Sequence, residues 1–437
     1  MMNKIILSGI GMALLLGFNS PAADETSWRD KLSDAGLELH GFLDYSYGRR
    51  TSSDPFEDDS SLNEIRLQLD AIWYHDLFTA QVKGDLLYDD LAADHDVDLE
   101  TGQGFFDLRM ANVLFSPLSW MDVKVGRQVL TWGTGDLIFI NDMFPKDWQS
   151  FFLGRDVEYL KAPSDALFVS LFPGIVNIDL AYTPNFDADR HITGERISYW
   201  NGREIVGQNG VVDPDRPDDW FTDDELAARA YRNIGAYEMA LYGYHGFWKS
   251  PGGMDPASGK ALFPELSVYG ASARGPLGGG IVNVEGGYYD SADDRSGNDP
   301  FINNSEARFL AGYEHEIFTD FTCGVQYYLE RMLDYGSYKG ALRAMGMLDD
   351  SARDEDRHTL TLRLTWLLLN QNLIVSCFTR YSPSDHDVYV KPTVTYKISD
   401  RWQASVGGDL FAGDHSYTFL GQFENNSNLH ASLRCSF

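Results

Sequence analysis

The last nine residues, Leu429-His430-Ala431-Ser432-Leu433-Arg434-Cys435-Ser436-Phe437, set the tightest limit on the fold. Apolar side chains fill every second position (Leu429, Ala431, Leu433, Cys435, Phe437), and His430, Ser432, Arg434 and Ser436 stand between them. Side chains alternate along a strand, so this one has an apolar face and a polar face. It ends on an aromatic residue, with no tail expected to cover it. In an open sheet such an edge offers unpaired N–H and C=O groups to other chains and invites aggregation. Two arrangements fit: the closing strand of a soluble sandwich, or a membrane barrel whose last strand pairs with its first and whose apolar face meets lipid.

The ending resembles the C-terminal signal of Gram-negative outer-membrane β-barrels, which finish on Phe. The opening residues agree with export. Lys4 supplies a positive charge, Ile5 to Phe18 form a short apolar run, and Ser20-Pro21-Ala22 offers small residues for cleavage. This pattern predicts a secretory signal peptide over residues 1–22. A short periplasmic segment over 23–36 follows, with a helix from Ser27 to Ala35 ending at Gly36, and then a barrel over 37–437. No later stretch has the roughly 18 uncharged apolar residues that a spanning helix needs. An exported membrane protein without such a helix must cross with strands. The expected location is therefore the bacterial outer membrane.

Composition is compatible. Hydrophobic residues make up 43% of the chain, low for a helical membrane protein, while 14% aromatics and 41 glycines suit interfacial girdles and crowded strands. A formal charge of −30 argues against nucleic acid, whose phosphates demand a basic surface. Cys323, Cys377 and Cys435 form no paired motif, which disfavours haem attachment, a zinc site or a disulfide framework. No cofactor is expected.

Strand patterns recur along the chain. Leu37, Leu39, Gly41, Leu43, Tyr45 and Tyr47 oppose Glu38, His40, Asp44 and Ser46; Ile65, Leu67, Leu69, Ala71 and Trp73 oppose Glu64, Arg66, Gln68 and Asp70. The segment Thr359 to Leu368 is the cleanest. Alternation over about ten residues is the length a tilted strand needs to cross a bilayer. Connections alternate between short (Tyr74 to Leu77, Pro117 to Trp120, Pro173-Gly174) and long (Asp89 to Gly104, Gly133 to Pro163, Pro184 onward), as tight periplasmic turns and large outer loops do. The clear strands give an odd total, about seventeen, whereas bacterial barrels have an even number. Direction requires a descending strand before Ala236 to Phe247, and Glu225 to Tyr231 fits. A helix competes there, because Thr222-Asp223-Asp224-Glu225 has capping-box form. The parity argument favours an all-β transmembrane antiparallel barrel of about 18 strands.

The polar strand faces carry both signs. Arg66, Lys83, Arg109, Lys124, Arg308, Arg363 and Arg380 are predicted to line the lumen, opposed by a nearly equal set of acids including Glu64, Asp85, Asp107, Glu285 and Asp409. The facing of Arg127 is ambiguous, since the alternation slips at Gly126-Arg127. The excess negative charge falls in the loops. A charged interior needs pairs or water, so it implies a wet channel or a salt-bridged plug. The loop from Gly133 to Pro163 stands apart, because Leu137-Ile138-Phe139-Ile140 and Met143-Phe144 are too apolar for a freely solvated connection. It is expected either to fold into the barrel mouth, where Asp136, Asn141, Asp142, Lys146 and Asp147 narrow the passage, or to pack on neighbouring loops as a lid. Asp94, Asp96, Asp98 and Glu100 alternate as calcium ligands do, but Leu99 stands where the EF-hand needs Gly, so a solvated acidic loop is expected.

The Gly126-Arg127-Gln128…Trp132-Gly133 segment, together with Val268-Tyr269-Gly270-Ala271-Ser272…Gly275-Pro276, resembles segments of porin-like families, including alginate-export channels and related barrels. That resemblance implies a passive channel. Alginate-export channels line their pore with positive charge, and the mixed polar face here departs from that. The expected function is a porin-like channel for small polar or anionic solutes, without enzymatic activity, in contact with outer-membrane lipids and lipopolysaccharide. A secretion or electron-transfer scaffold barrel is the alternative, and a barrel enzyme with a nucleophile–base pair is a third reading.

Overall fold

The structure, a computed structural model, describes residues 32–92 and 95–437. The predicted signal peptide and most of the segment after it lie outside the described residues, as does Asp94 of the acidic stretch. Residues 32–34 are helical and stop at Gly36, whose φ of 73° is one that glycine adopts freely.

Eighteen strands form one antiparallel sheet. They are β1 (Leu37–Arg50), β2 (Ser60–His75), β3 (Phe78–Asp89), β4 (Phe106–Leu118), β5 (Met121–Gln128), β6 (Ser164–Leu171), β7 (Asn177–Thr183), β8 (Glu225–Ile234) and β9 (Tyr237–Phe247). The second half comprises β10 (Glu265–Leu277), β11 (Gly280–Ser291), β12 (Glu306–Phe318), β13 (Phe321–Met332), β14 (Asp356–Leu368), β15 (Leu373–Ser382), β16 (Asp387–Lys397), β17 (Trp402–Gly413) and β18 (Asn428–Ser436). Each strand pairs with its sequence neighbours. The sheet closes by pairing β1 with β18, in a register running from Phe42 opposite Ser436 to Arg50 opposite Asn428. Closure removes the edge that the final strand would otherwise expose.

The strand required by parity is present. β8 pairs with β7, setting Arg229 opposite Asp179, and with β9, setting Arg229 opposite Tyr242. The competing helical signal is absorbed by a turn in which the Asp223 side chain accepts from the Asp219 N–H at 2.9 Å. Ladder partners on both sides outweigh a local capping preference.

The two faces separate cleanly. Leu39, Leu69, Val82, Leu241, Val325, Leu362 and Leu433 are exposed on the outer face, while Asp44, Glu64, Arg66, Asp85 and Glu285 are buried on the inner face. Trp73, Trp120, Phe318, Trp366 and Tyr396 gather near the short turns and Tyr47, Tyr88, Tyr269, Tyr288 and Tyr381 toward the long loops, the two aromatic belts of a membrane barrel. The turn at Gly278-Gly279, with φ of 56° and 88°, is the two-residue kind that matches strand twist.

Candidate functional site

The connection between β5 and β6, residues 129–163, does not lie over the barrel as a lid but runs inside it. Its apolar side chains account for this. Ile138, Ile140, Met143 and Phe144 are buried against Ala166, Ala181, Ala227, Leu266, Val268, Tyr289 and Leu310 on the inner wall. Removing an Ile or Phe side chain from water contributes about 1.5–3 kcal/mol, so a loop of this composition gains by docking.

One carboxylate organises the docking. Glu285 on β11 is 1% exposed. Its Oε2 accepts from the Thr134 N–H at 2.8 Å and the Thr134 hydroxyl at 3.0 Å. Its Oε1 accepts from the Asn141 N–H at 2.8 Å and the Asn141 side-chain amide at 3.0 Å. Four donors thus replace the water that a buried carboxylate loses. The wall beside it is hollowed by two glycines. A Cβ on Gly270 would stand 1.7 Å from Asn141 Oδ1 and 2.7 Å from the Gly286 carbonyl oxygen, and one on Gly287 would stand 2.7 Å from Ile140 Cγ2. Tyr289 donates its hydroxyl to the Ile140 carbonyl.

Beyond this dock the loop crosses the lumen. The Asp136 N–H donates to Gln326 Oε1 at 2.8 Å, and the Gln326 amide donates back to the Asp136 carbonyl at 2.9 Å. The Asp136 carboxylate pairs with Arg363 on β14. A short helix α1 (Trp148–Leu153) follows, capped by Asp147, whose Oδ1 accepts from the Ser150 N–H at 2.7 Å. Phe151 and Phe152 pack on Phe378, Tyr389 and Phe411 of β15–β17. The loop then returns along β2 and β18: Arg155 pairs with Glu64 at 2.6 Å, and Asp156 and Glu158 each meet Arg434 at 3.3 Å. Tyr159 lies under the Arg66 guanidinium, 4.1 Å from its ring centroid, and burial pushes its phenol well above the usual value.

Two cavities flank this crossing. The outer one, about 1420 Å³, is lined by Trp148, Trp200, Lys249, Arg308, Arg353, Arg357, Arg380, Asp385 and Tyr417 among others. The inner one, about 220 Å³, is lined by Asp44, Arg66, Arg363, Thr393, Gln403, Ser432 and Arg434 among others. Most cations are already paired: Arg308 with Glu306 at 2.7 Å, Arg353 with Glu306 and Glu330 at 2.7 and 2.9 Å, Arg357 with Glu330 and Asp385 at 2.8 and 3.0 Å. Arg380 stacks over Phe419, 4.7 Å from the ring centroid, with no carboxylate in ion-pair range among the described residues.

The residues singled out in the sequence divide accordingly. Arg308 and Arg380 face the outer cavity, and Arg66 and Arg363 face the inner one. Lys83 points inward to Asp70 at 2.9 Å. Lys124 is half-buried and opposite Leu114. Arg109 is 4% exposed and donates to the Lys161 carbonyl at 2.6 Å, so it holds the loop rather than facing open water. Asn141, Asp142, Lys146 and Asp147 are buried, with Lys146 paired to Asp142 at 3.1 Å; of the five loop residues named, Asp136 alone is bonded to the far wall at β14. The structure puts Arg127 elsewhere. Its register opposite Ala111 and Asp165 sets it on the side of the wall that carries Val125 and Leu167, where it donates to Asp165 at 2.6 Å and to the Leu99 carbonyl at 2.9 Å. Gly126 has φ 113°, but both ladders run through it in register, so the alternation does not slip there. The docking roles of Glu285, Gln326, Tyr159 and Gly270 were missed. Gly270 belonged to one segment that drew attention and Asn141 followed the other, and the two segments meet in space.

No family model and no curated protein matches this sequence. Several solved structures share its fold. Acinetobacter baumannii OccAB3 matches with a TM-score of 0.56 and 10% identity, over 92% of this chain and 99% of that one. Pseudomonas aeruginosa OccK11 (OpdR) matches at 0.53 and 9%, over 92% and 96%. Pseudomonas aeruginosa OccD3 (OpdP) matches at 0.52 and 10%, over 92% and 91%. At such identities the likeness is one of architecture: the chain has the closed 18-stranded plan of outer-membrane barrels.

Proposed function

We propose that this protein is a porin-like channel of the bacterial outer membrane, passing small polar or anionic solutes passively, and is not an enzyme. The observation that carries this reading is the loop from β5 to β6 docked across the lumen, below an outer cavity of about 1420 Å³ lined by Arg308, Arg357 and Arg380. A barrel of this strand number holds a lumen wide enough for water and solutes, and an inward-folded loop narrows it. The wall's charges are mostly cancelled in pairs, which suits small polar solutes of mixed charge better than a long polyanion such as alginate. Single-channel current through the refolded protein in a planar bilayer, under a salt gradient, tests it. Stepwise conductance with a small reversal potential is expected. A folded but silent barrel contradicts the channel reading and favours a scaffold that holds a partner in its lumen.

A further inference from the structure

The two cavities are almost separate. Among the described residues, Leu137 alone lines both. It sits at the crossing of the loop, packed on the aromatic cluster of Phe151, Phe152 and Phe378. The inner cavity is otherwise lined mostly by charged or hydroxyl-bearing residues, with Phe151, Val157 and Phe378 as its other bulky apolar side chains. Leu137 also has φ of 56°, a left-handed conformation that leucine rarely adopts. Such a conformation persists only where the surroundings impose it. Here they do: the preceding residue, Asp136, is clamped through its N–H and carbonyl by Gln326 and through its carboxylate by Arg363. Arg363 is in turn seated over the Phe378 ring, 4.9 Å from the centroid.

We propose that Leu137 is the gate of the channel: an apolar septum between two wet cavities, held across the passage by the Asp136–Arg363 pair, which sets both the size and the polarity of what passes. An apolar constriction resists ions because water leaves it, even where the gap itself would admit them. The septum is formed by a single side chain on a clamped tip, so its removal or its hydration opens the path without dismantling the dock at Glu285. This inference rests on the channel reading above and adds to it the residue that decides passage.

The test is single-channel conductance of the full-length refolded protein, with the pore size read from the exclusion of polyethylene glycols of graded mass. Leu137→Asn is the informative variant, since Asn shares the branching of Leu at Cγ, is smaller than Leu but larger than Ala, tolerates the left-handed conformation and brings water to the septum. Leu137→Ala shortens the side chain, Leu137→Trp enlarges it, and Arg363→Gln removes the ionic clamp. Leu137→Asn and Leu137→Ala are each expected to raise conductance about twofold or more, as relief of an apolar constriction should. Leu137→Ala should admit larger glycols than Leu137→Asn does, although the two raise conductance alike, and Leu137→Trp should lower conductance. Arg363→Gln should lengthen or multiply open events. Wild-type conductance in all Leu137 variants, each folded by heat-shifted gel mobility, overturns the gate and leaves the channel reading standing. Silence in the wild type and in every folded variant overturns both. A conducting Leu137→Asn beside a silent wild type supports the gate and overturns passive passage through the wild type.

Discussion

The two sides of the lumen are built from the same kind of strand and do opposite things. Where the loop docks, on β10, β11 and the adjoining Leu310 of β12, the inward positions include Leu266, Val268, Gly270 and Gly287, and Glu285 spends all its acceptor capacity on the backbone and side chains of a loop. That side is small, apolar and covered. On β14–β18 the inward positions Arg363, Arg380, Lys391, Thr393, Gln403, Ser405 and Arg434 face cavities, beside the aromatic seat of Phe378, Tyr389 and Phe411 that receives α1. Apart from that seat, this side is long, charged and wet. Outward, both carry exposed Leu, Val and Tyr. What distinguishes a docking wall from a pore wall is thus side-chain volume at inward positions, not polarity alone.

The contrast can be broken most severely at the dock. Glu285→Ala removes the acceptor for four hydrogen bonds, and each buried donor left unpaired costs about 1–3 kcal/mol. The loop should leave the wall, raising single-channel conductance several-fold. Unchanged conductance would mean that the apolar contacts suffice alone. Gly270→Val fills the recess that Asn141 occupies and should produce a smaller rise with noisier current, since Ile140 keeps its own seat beside Gly287. On the opposite wall, Arg434→Gln frees Asp156 and Glu158 from their shared cation. The reversal potential should move toward cation selectivity while conductance stays within a small factor of wild type; a large conductance change there would erase the distinction between the walls.

A smaller effect is expected above the docking wall. Asp187, in the loop after β7, is raised to about 7 by burial and then by the neighbouring charge of Glu225, with Lys249 only partly offsetting them. A carboxyl raised above its unfolded value favours the folded state while protonated. Its stabilising contribution is therefore complete below about pH 4 and lost as pH rises through about 7. Protection factors for amide exchange over residues 184–192, taken against the intrinsic rate at each pH, should be higher at pH 5 than at pH 8, and Asp187→Asn should flatten that difference.

Much of the fold was legible because a strand's period of two leaves its mark on every crossing, and because parity forced β8 where local signals favoured a helix. The loop's inward fate was half legible: its apolar residues demanded cover, but a wall and a lid serve equally well on composition. Which wall it chose depended on Gly270 and Gly287, whose meaning appears only when Asn141 and Ile140 are beside them. Arg127 could not be placed from polarity: unbroken alternation puts it with Val125 on the outer side, and its partners there, Asp165 and the Leu99 carbonyl, appear only in the fold. Of the loop's polar residues, Asn141 is consumed by Glu285 on the wall and Asp147 by Ser150 and Arg190, while Asp142 and Lys146, paired with each other, border the outer cavity; composition does not distinguish these fates.

The central claim is that a loop docked inside the barrel, not the barrel itself, sets the passage. Its most direct test is single-channel conductance of the wild type beside a variant lacking residues 136–147, both refolded and compared in the same bilayer. The variant should conduct in markedly larger steps, approaching those of an unobstructed barrel. Equal steps in the two proteins would contradict the account.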